Sequence, residues 1–89
     1  MSGFTYNDID PTVLYDIFYE TGTRLGGTYV ALMRQAKSQG DFTQAHEWQQ
    51  KHIDLDNERL KIDPDDQAGQ IQQIQAWDKE IQKSKALLA

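Results

Sequence analysis

The chain has 89 residues, enough for a single domain or a fragment of one and too few for two independent cores. A hydrophobic content of 38% with no apolar run near the ~20 residues of a membrane-spanning helix excludes a span, and the absence of cysteine excludes a disulfide framework and a thiolate metal site. Fourteen acidic against nine basic residues give a formal net charge of −5, which argues against binding nucleic acid through its phosphates.

Residues 1–9 read as an irregular acidic and aromatic lead. The segment Met1-Ser2-Gly3-Phe4-Thr5-Tyr6 has neither the basic start nor the apolar run of a secretory leader, so a cytoplasmic location is expected. Residues 10–89 then read as one three-helix domain. Ile9-Asp10-Pro11 opens the first helix: Asp10 can cap free backbone N–H groups, and Pro11 suits the first helical position because its missing N–H would have no partner there. Ile9 can also pack back on Leu14 as a hydrophobic staple. This helix is expected over about 11–38.

Gly40 suits the position just past a helix end. Asp41 with Gln44 approximates a capping box, which opens a second helix over about 42–61. Ile62-Asp63-Pro64 repeats the first start signal, with Asp65 and Asp66 placed to favour the positive end of the helix dipole. A third helix is expected over about 64–87. No alternating strand pattern competes, so the fold class is all-α, an antiparallel three-helix bundle.

Helix 3 carries a narrow apolar stripe of Ile71, Ile74, Trp77, Ile81 and Leu88, with Gln70, Gln72, Gln73, Gln75 and Gln82 assigned to its polar side. Helix 2 has a broader set: Phe42, Ala45, Trp48, Ile53, Leu55 and Leu60. Both fit bundle helices with one buried face. Helix 1 differs. Leu14, Phe18, Leu25, Leu32 and Ala36 form its central stripe; Val13 and Ile17 widen it on one side, and Tyr15, Tyr19, Tyr29, Val30 and Met33 on the other. Its clearly polar strip shrinks to Asp16, Glu20, Arg24 and Arg34. Two neighbouring helices are expected to cover only part of this arc, leaving the rest for a partner protein or a second copy.

Gly22, Gly26 and Gly27 fall inside helix 1, where each costs about 1 kcal/mol relative to alanine. They allow a kink at Gly26-Gly27, tight internal packing, or a smooth patch at Thr21-Gly22-Thr23-Arg24 that enters a cleft. The pattern is not a phosphate loop, for no strand precedes it and no Gly-Lys follows. Glu20 and Arg24 are spaced for an exposed ion pair.

Chemistry-bearing arrangements are sparse. His46 and His52 are spaced six apart, which does not align two ligands on one helix face, and Asp54, Asp56, Glu58 and Asp63 lack calcium-loop spacing. No metal, cofactor or catalytic residue is expected. Small all-helical chorismate mutases are of similar length, and a dianion site from Arg24, Arg34, Lys51 and Arg59 could assemble on dimerisation, but that family's arginine-rich opening helix is missing. A helix-turn-helix is disfavoured by the long helices and the lack of a basic recognition helix.

The stretches Asp10-Pro11-Thr12-Val13-Leu14-Tyr15-Asp16-Ile17-Phe18 and Gly22-Thr23-Arg24-Leu25-Gly26-Gly27-Thr28-Tyr29 resemble small helical proteins that accompany zeta-type toxins. Glu58-Arg59-Leu60-Lys61-Ile62-Asp63-Pro64-Asp65-Asp66 and Ile74-Gln75-Ala76-Trp77 add to the likeness. The resemblance implies an antitoxin similar to the epsilon family, three-helix proteins that block the nucleotide site of a P-loop toxin kinase and have no catalysis of their own. It assigns no individual residue. The wide arc of helix 1 makes that helix the inserted element, with Asp16 and Glu20 imitating phosphate charge. The partner face is accordingly expected at Tyr15, Asp16, Phe18, Tyr19, Glu20, Gly22, Thr23, Arg24, Gly26 and Tyr29. A homo-oligomer that covers helix 1 with its own copy is the alternative.

Overall fold

A computed structural model describes residues 9–88; of the irregular lead expected over residues 1–9, residues 1–8 lie outside them. The described chain is α-helical: α1 spans Pro11–Ser38, α2 Phe42–Lys61 and α3 Gln67–Lys85. The boundaries follow from local chemistry. The Asp10 carboxylate accepts the Thr12 N–H at 2.8 Å, and Pro11 occupies the first turn. At the other end Gly40 takes the left-handed φ of 76°. Gly40 N–H then donates to Lys37 O at 3.0 Å and Asp41 N–H to Ala36 O at 2.9 Å, which together satisfy the last carbonyls of α1.

Asp41 caps α2 by accepting the Gln44 N–H at 3.0 Å. The reciprocal half of the capping box is not made, because the Asp41 N–H is already engaged with Ala36. The third helix starts later than the Asp-Pro signal predicts. Asp63 and Pro64 form a turn instead, with Asp66 N–H donating to Asp63 O at 2.9 Å. The Asp63 side chain accepts the Asp65 N–H at 2.8 Å. Asp66 is the actual cap, accepting the Gly69 N–H at 2.9 Å. The fixed φ of proline suits the second position of a turn as well as a helix start, and the run of aspartates offers a second cap three residues on.

The helices form an elongated, flat layer whose principal extents are 46 × 32 × 14 Å. α1 lies in the middle and packs along both other helices, while the backbones of α2 and α3 hardly approach one another. Cross-helix contacts fix the directions. Tyr29 stacks on Trp48 and Arg59 reaches Tyr19, so α2 runs antiparallel to α1. Phe18 stacks on Trp77 and Gln35 reaches the Leu87 carbonyl, so α3 runs parallel to α1. Leu14, Phe18, Leu25, Tyr29 and Leu32 form the spine, met by Trp48 and Leu55 from one flank and by Ile74, Trp77 and Ile81 from the other.

α2 and α3 cover most of the α1 arc, so the part expected to remain for an outside partner or a second copy is narrow. Ten α1 residues are buried by the chain's own flanks, and Tyr15, Ile17, Val30 and Met33 are half-buried; of the large apolar and aromatic set only Val13 and Tyr19 stay exposed. The glycines make the approach possible. α1 is unbroken through Gly26-Gly27. A Cβ at Gly22 would lie 3.1 Å from the Trp77 ring and 3.2 Å from the Arg59 side chain, and one at Gly26 would lie 3.1 Å from His52. Gly22 thus admits both flanks at one point, and Gly26 forms a notch for the His52 ring.

Two helix faces also differ from expectation. On α2, Ala45, Trp48 and Leu55 are buried, but Phe42, Ile53 and Leu60 point outward, 68%, 45% and 80% exposed. On α3, Gln70 is not on the polar side but fully buried, in register with Ile74, Trp77 and Ile81. Its amide nitrogen donates to Asp63 O at 3.2 Å and Pro64 O at 2.8 Å, tying the connector to the first turn of α3. Its Oε1 has no partner among the described residues.

Candidate interaction surfaces

The residues expected to form one partner face divide between the interior and the surface. Phe18, Gly22, Gly26 and Tyr29 are buried in the packing of α1 against its flanks. They serve the fold, because a helix flanked on both sides must use its central stripe internally. The expected entry patch at Thr21-Gly22-Thr23-Arg24 is divided in the same way, with Thr21 and Gly22 buried and Thr23 and Arg24 exposed. Asp16, Tyr19, Glu20, Thr23 and Arg24 are exposed, and Tyr15 is half-buried.

Arg59 organises one edge of that surface. One guanidinium nitrogen donates to Tyr19 O at 3.0 Å and to the Thr23 hydroxyl at 2.9 Å; the other reaches Asp56 at 3.2 Å. The guanidinium also lies 4.2 Å from the centre of the Tyr19 ring. Tyr15 and Tyr19 are neighbours, with ring centres 6.1 Å apart. The expected Glu20–Arg24 pair does not form. Arg59–Asp56 is the ion pair among the described residues, so Asp16 and Glu20 stand as unpaired surface carboxylates.

A second surface exists because α2 and α3 do not close over α1. An open groove of about 350 Å³ runs between them. Its floor is Leu25, Tyr29, Leu55 and Trp77; Lys51, Asp54 and Glu58 rim it from α2, and Gln73, Ala76 and Glu80 from α3. Three carboxylates against one lysine make it acidic. Two of its polar groups are already engaged with each other: the Tyr29 hydroxyl donates to Glu80 at 3.1 Å, and the Ser84 hydroxyl to the same oxygen at 3.3 Å. Burial, and then the Glu80 charge and hydrogen bond, hold the Tyr29 phenol well above its ordinary range.

The third surface is the outer face of α2 with Phe42, Ile53 and Leu60, which line none of the groove. Its signal was present in the sequence as a separate stripe at 42, 46, 49, 53, 56 and 60, beside the inward stripe at 45, 48, 52, 55 and 59, of which 45, 48 and 55 are buried.

The four cations considered for a dianion site do not converge within the chain. Arg24 lines a hollow against α3, Lys51 sits on the groove rim, Arg59 joins α2 to α1, and Arg34 is exposed. Among the described residues no group of three histidine or carboxylate side chains is placed to hold a metal ion, and no helix is long and apolar enough to cross a membrane. Compared with protein-family models, with curated proteins and with solved structures, the chain matches none of them.

Proposed function

We propose that the chain is a non-enzymatic protein-binding module: an antitoxin that inhibits a cognate P-loop toxin kinase by laying the outer face of α1 over its nucleotide site. One observation carries the reading. Asp16 and Glu20 lie one turn apart on the exposed side of α1, without ion pairs among the described residues, next to the exposed Tyr19 ring. The buried side of α1 is held by α2 and α3, so this strip is offered to a partner without any unfolding. Two carboxylates at that spacing suit the lysine and arginine side chains with which a kinase grips phosphate groups, and Tyr19 with Tyr15 supplies the amphipathic ring area favoured at protein interfaces. The toxin-kinase identity of the partner rests on the sequence resemblance; the location of the contact rests on the exposed strip.

The test is recovery of the tagged chain with its bound protein, followed by competition and charge reversal. A near-stoichiometric nucleotide-binding partner, displaced by ATP and released by Asp16→Lys with Glu20→Lys, is the expected result. The double reversal should weaken the complex by at least ~tenfold. Binding that is indifferent to both ATP and the charge reversal would overturn the assignment.

A further inference from the structure

We infer that a second copy of this chain covers the outer face of α2, in an antiparallel pairing about a two-fold axis. Positions 42, 46, 49, 53, 56 and 60 follow the alternating four-three spacing that keeps side chains on one seam of a helix. Phe42, Ile53 and Leu60 on this seam are 68%, 45% and 80% exposed, while Ala45, Trp48 and Leu55 face α1. The face is separate from the groove, whose α2 rim is Lys51, Asp54, Leu55 and Glu58.

The occupant follows from the order of residues along the seam. An antiparallel second copy sets Phe42 against Leu60 of the second copy, His46 against Asp56 of the second copy, and Gln49 against Ile53 of the second copy. Every pairing is then repeated by symmetry, as an isologous interface requires. Apolar ends meet apolar ends, and an imidazole meets a carboxylate. A parallel pairing would instead set Asp56 on Asp56, which like-charge repulsion disfavours. On the shoulder of the seam away from α1, Thr43, Gln50 and Asn57 carry no charge, so the net charge of −5 does not oppose the approach there. With three large apolar side chains from each copy, the interface belongs with the small ones, under about 1,200 Å², and its dimer should dissociate on dilution.

Molar mass measured by light scattering or sedimentation over a wide dilution series tests this. The mass should climb from 10.2 kDa toward twice that value as concentration rises. Phe42→Glu with Leu60→Glu should hold it at the monomer value while the helical circular dichroism stays unchanged, because both side chains are exposed. His46→Asp should weaken association by at least ~tenfold. Adding Asp56→His should restore it, since Arg59 keeps its bonds to Tyr19 and Thr23 when Asp56 is exchanged. A chain monomeric at every concentration would overturn the pairing, and so would a dimer indifferent to the Phe42 and Leu60 changes. A monomer whose Phe42 and Leu60 changes abolish binding of a different protein would assign the face to that protein instead. A dimer weakened by His46→Asp but not rescued by the exchange would refute the antiparallel register. None of these variants touches Asp16 or Glu20, so this inference and the proposed function fail separately.

Discussion

The three glycines inside α1 are chemically identical and physically distinct. Each gives up helix propensity of about 1 kcal/mol relative to alanine, and what an added methyl would meet decides whether that can be recovered. At Gly27 nothing lies within 4 Å of the built Cβ. Gly27→Ala should therefore raise the thermal midpoint by about 4–8 °C, the shift that 1 kcal/mol gives in a domain of this size. At Gly22 the neighbour at 3.1 Å is the ring of Trp77, which is only 3% exposed and cannot turn aside. Gly22→Ala should lower the midpoint, and paired melting curves of the two variants check both signs. Tyr29 gives the residue scale its pH dependence. Its folded-state pKa is raised by burial and by Glu80, so the folded chain holds the phenolic proton more tightly than the unfolded chain does. The resulting stabilisation is complete below the unfolded value of about 10 and is lost as pH rises from there toward the folded value. Tyr29→Phe should cost about 1 kcal/mol at neutral pH through the lost hydrogen bond, and should flatten the alkaline fall in denaturant midpoint.

At the scale of the element, Arg59 is the clamp that seats the C-terminal part of α2. Its guanidinium joins the Tyr19 carbonyl and the Thr23 hydroxyl on α1, the Tyr19 ring face and Asp56 in a single fork. Arg59→Ala should cost about 1–2 kcal/mol, and Arg59→Lys should recover little of it, because an ammonium cannot fork to several acceptors while stacking on Tyr19. Hydrogen exchange should accelerate over the last turns of α2 in both variants. Element boundaries were legible wherever capping chemistry is local: Asp10-Pro11 and Gly40-Asp41 mark their helix ends within the residues that form them. Asp63-Pro64 was ambiguous because a turn and a helix start use the same two residues. Faces were less legible than boundaries. α2 carries two interleaved stripes, and only the position of α1 decides that Ala45, Trp48 and Leu55 turn inward while Phe42, Ile53 and Leu60 do not. Gln70 lies in register with the apolar stripe of α3, but its polar side chain masks that position until the carbonyls of Asp63 and Pro64 are seen to hold it. The outer stripe of α2 is written in its spacing, but the groove has no motif, for it is made of ordinary side chains that only tertiary packing brings together.

The whole molecule is two half-cores sharing one helix, and this sets how it should unfold. Trp48 reports the α1–α2 half, stacked on Tyr29 with ring centres 5.7 Å apart; Trp77 reports the α1–α3 half, stacked on Phe18 at 5.1 Å. Because α2 and α3 hardly meet, neither flank can hold the other in place once α1 is lost. Yet neither half is insulated from its neighbour: Gly22 on α1 is approached by Trp77 from one flank and Arg59 from the other. A flank that peels away therefore exposes the apolar side of α1 that the remaining half needs. A domain this small has little stability to divide, of order 0.05–0.15 kcal/mol per residue, so a half-folded intermediate should not be populated. Trp48→Phe leaves Trp77 as the single indole and Trp77→Phe leaves Trp48, so each variant's fluorescence follows one half alone. In both variants the fluorescence transition in denaturant should coincide with loss of helical circular dichroism. A fluorescence midpoint displaced from the circular dichroism midpoint in either variant would mean that one flank melts first and that α1 with a single neighbour is a stable unit. Phe18→Ala sharpens the same test, since Phe18 is fully buried and its truncation should cost about 3–5 kcal/mol. Although Phe18 stacks on α3, the loss should appear equally at Trp48 on the far flank, because α1 is the element that both flanks pack against.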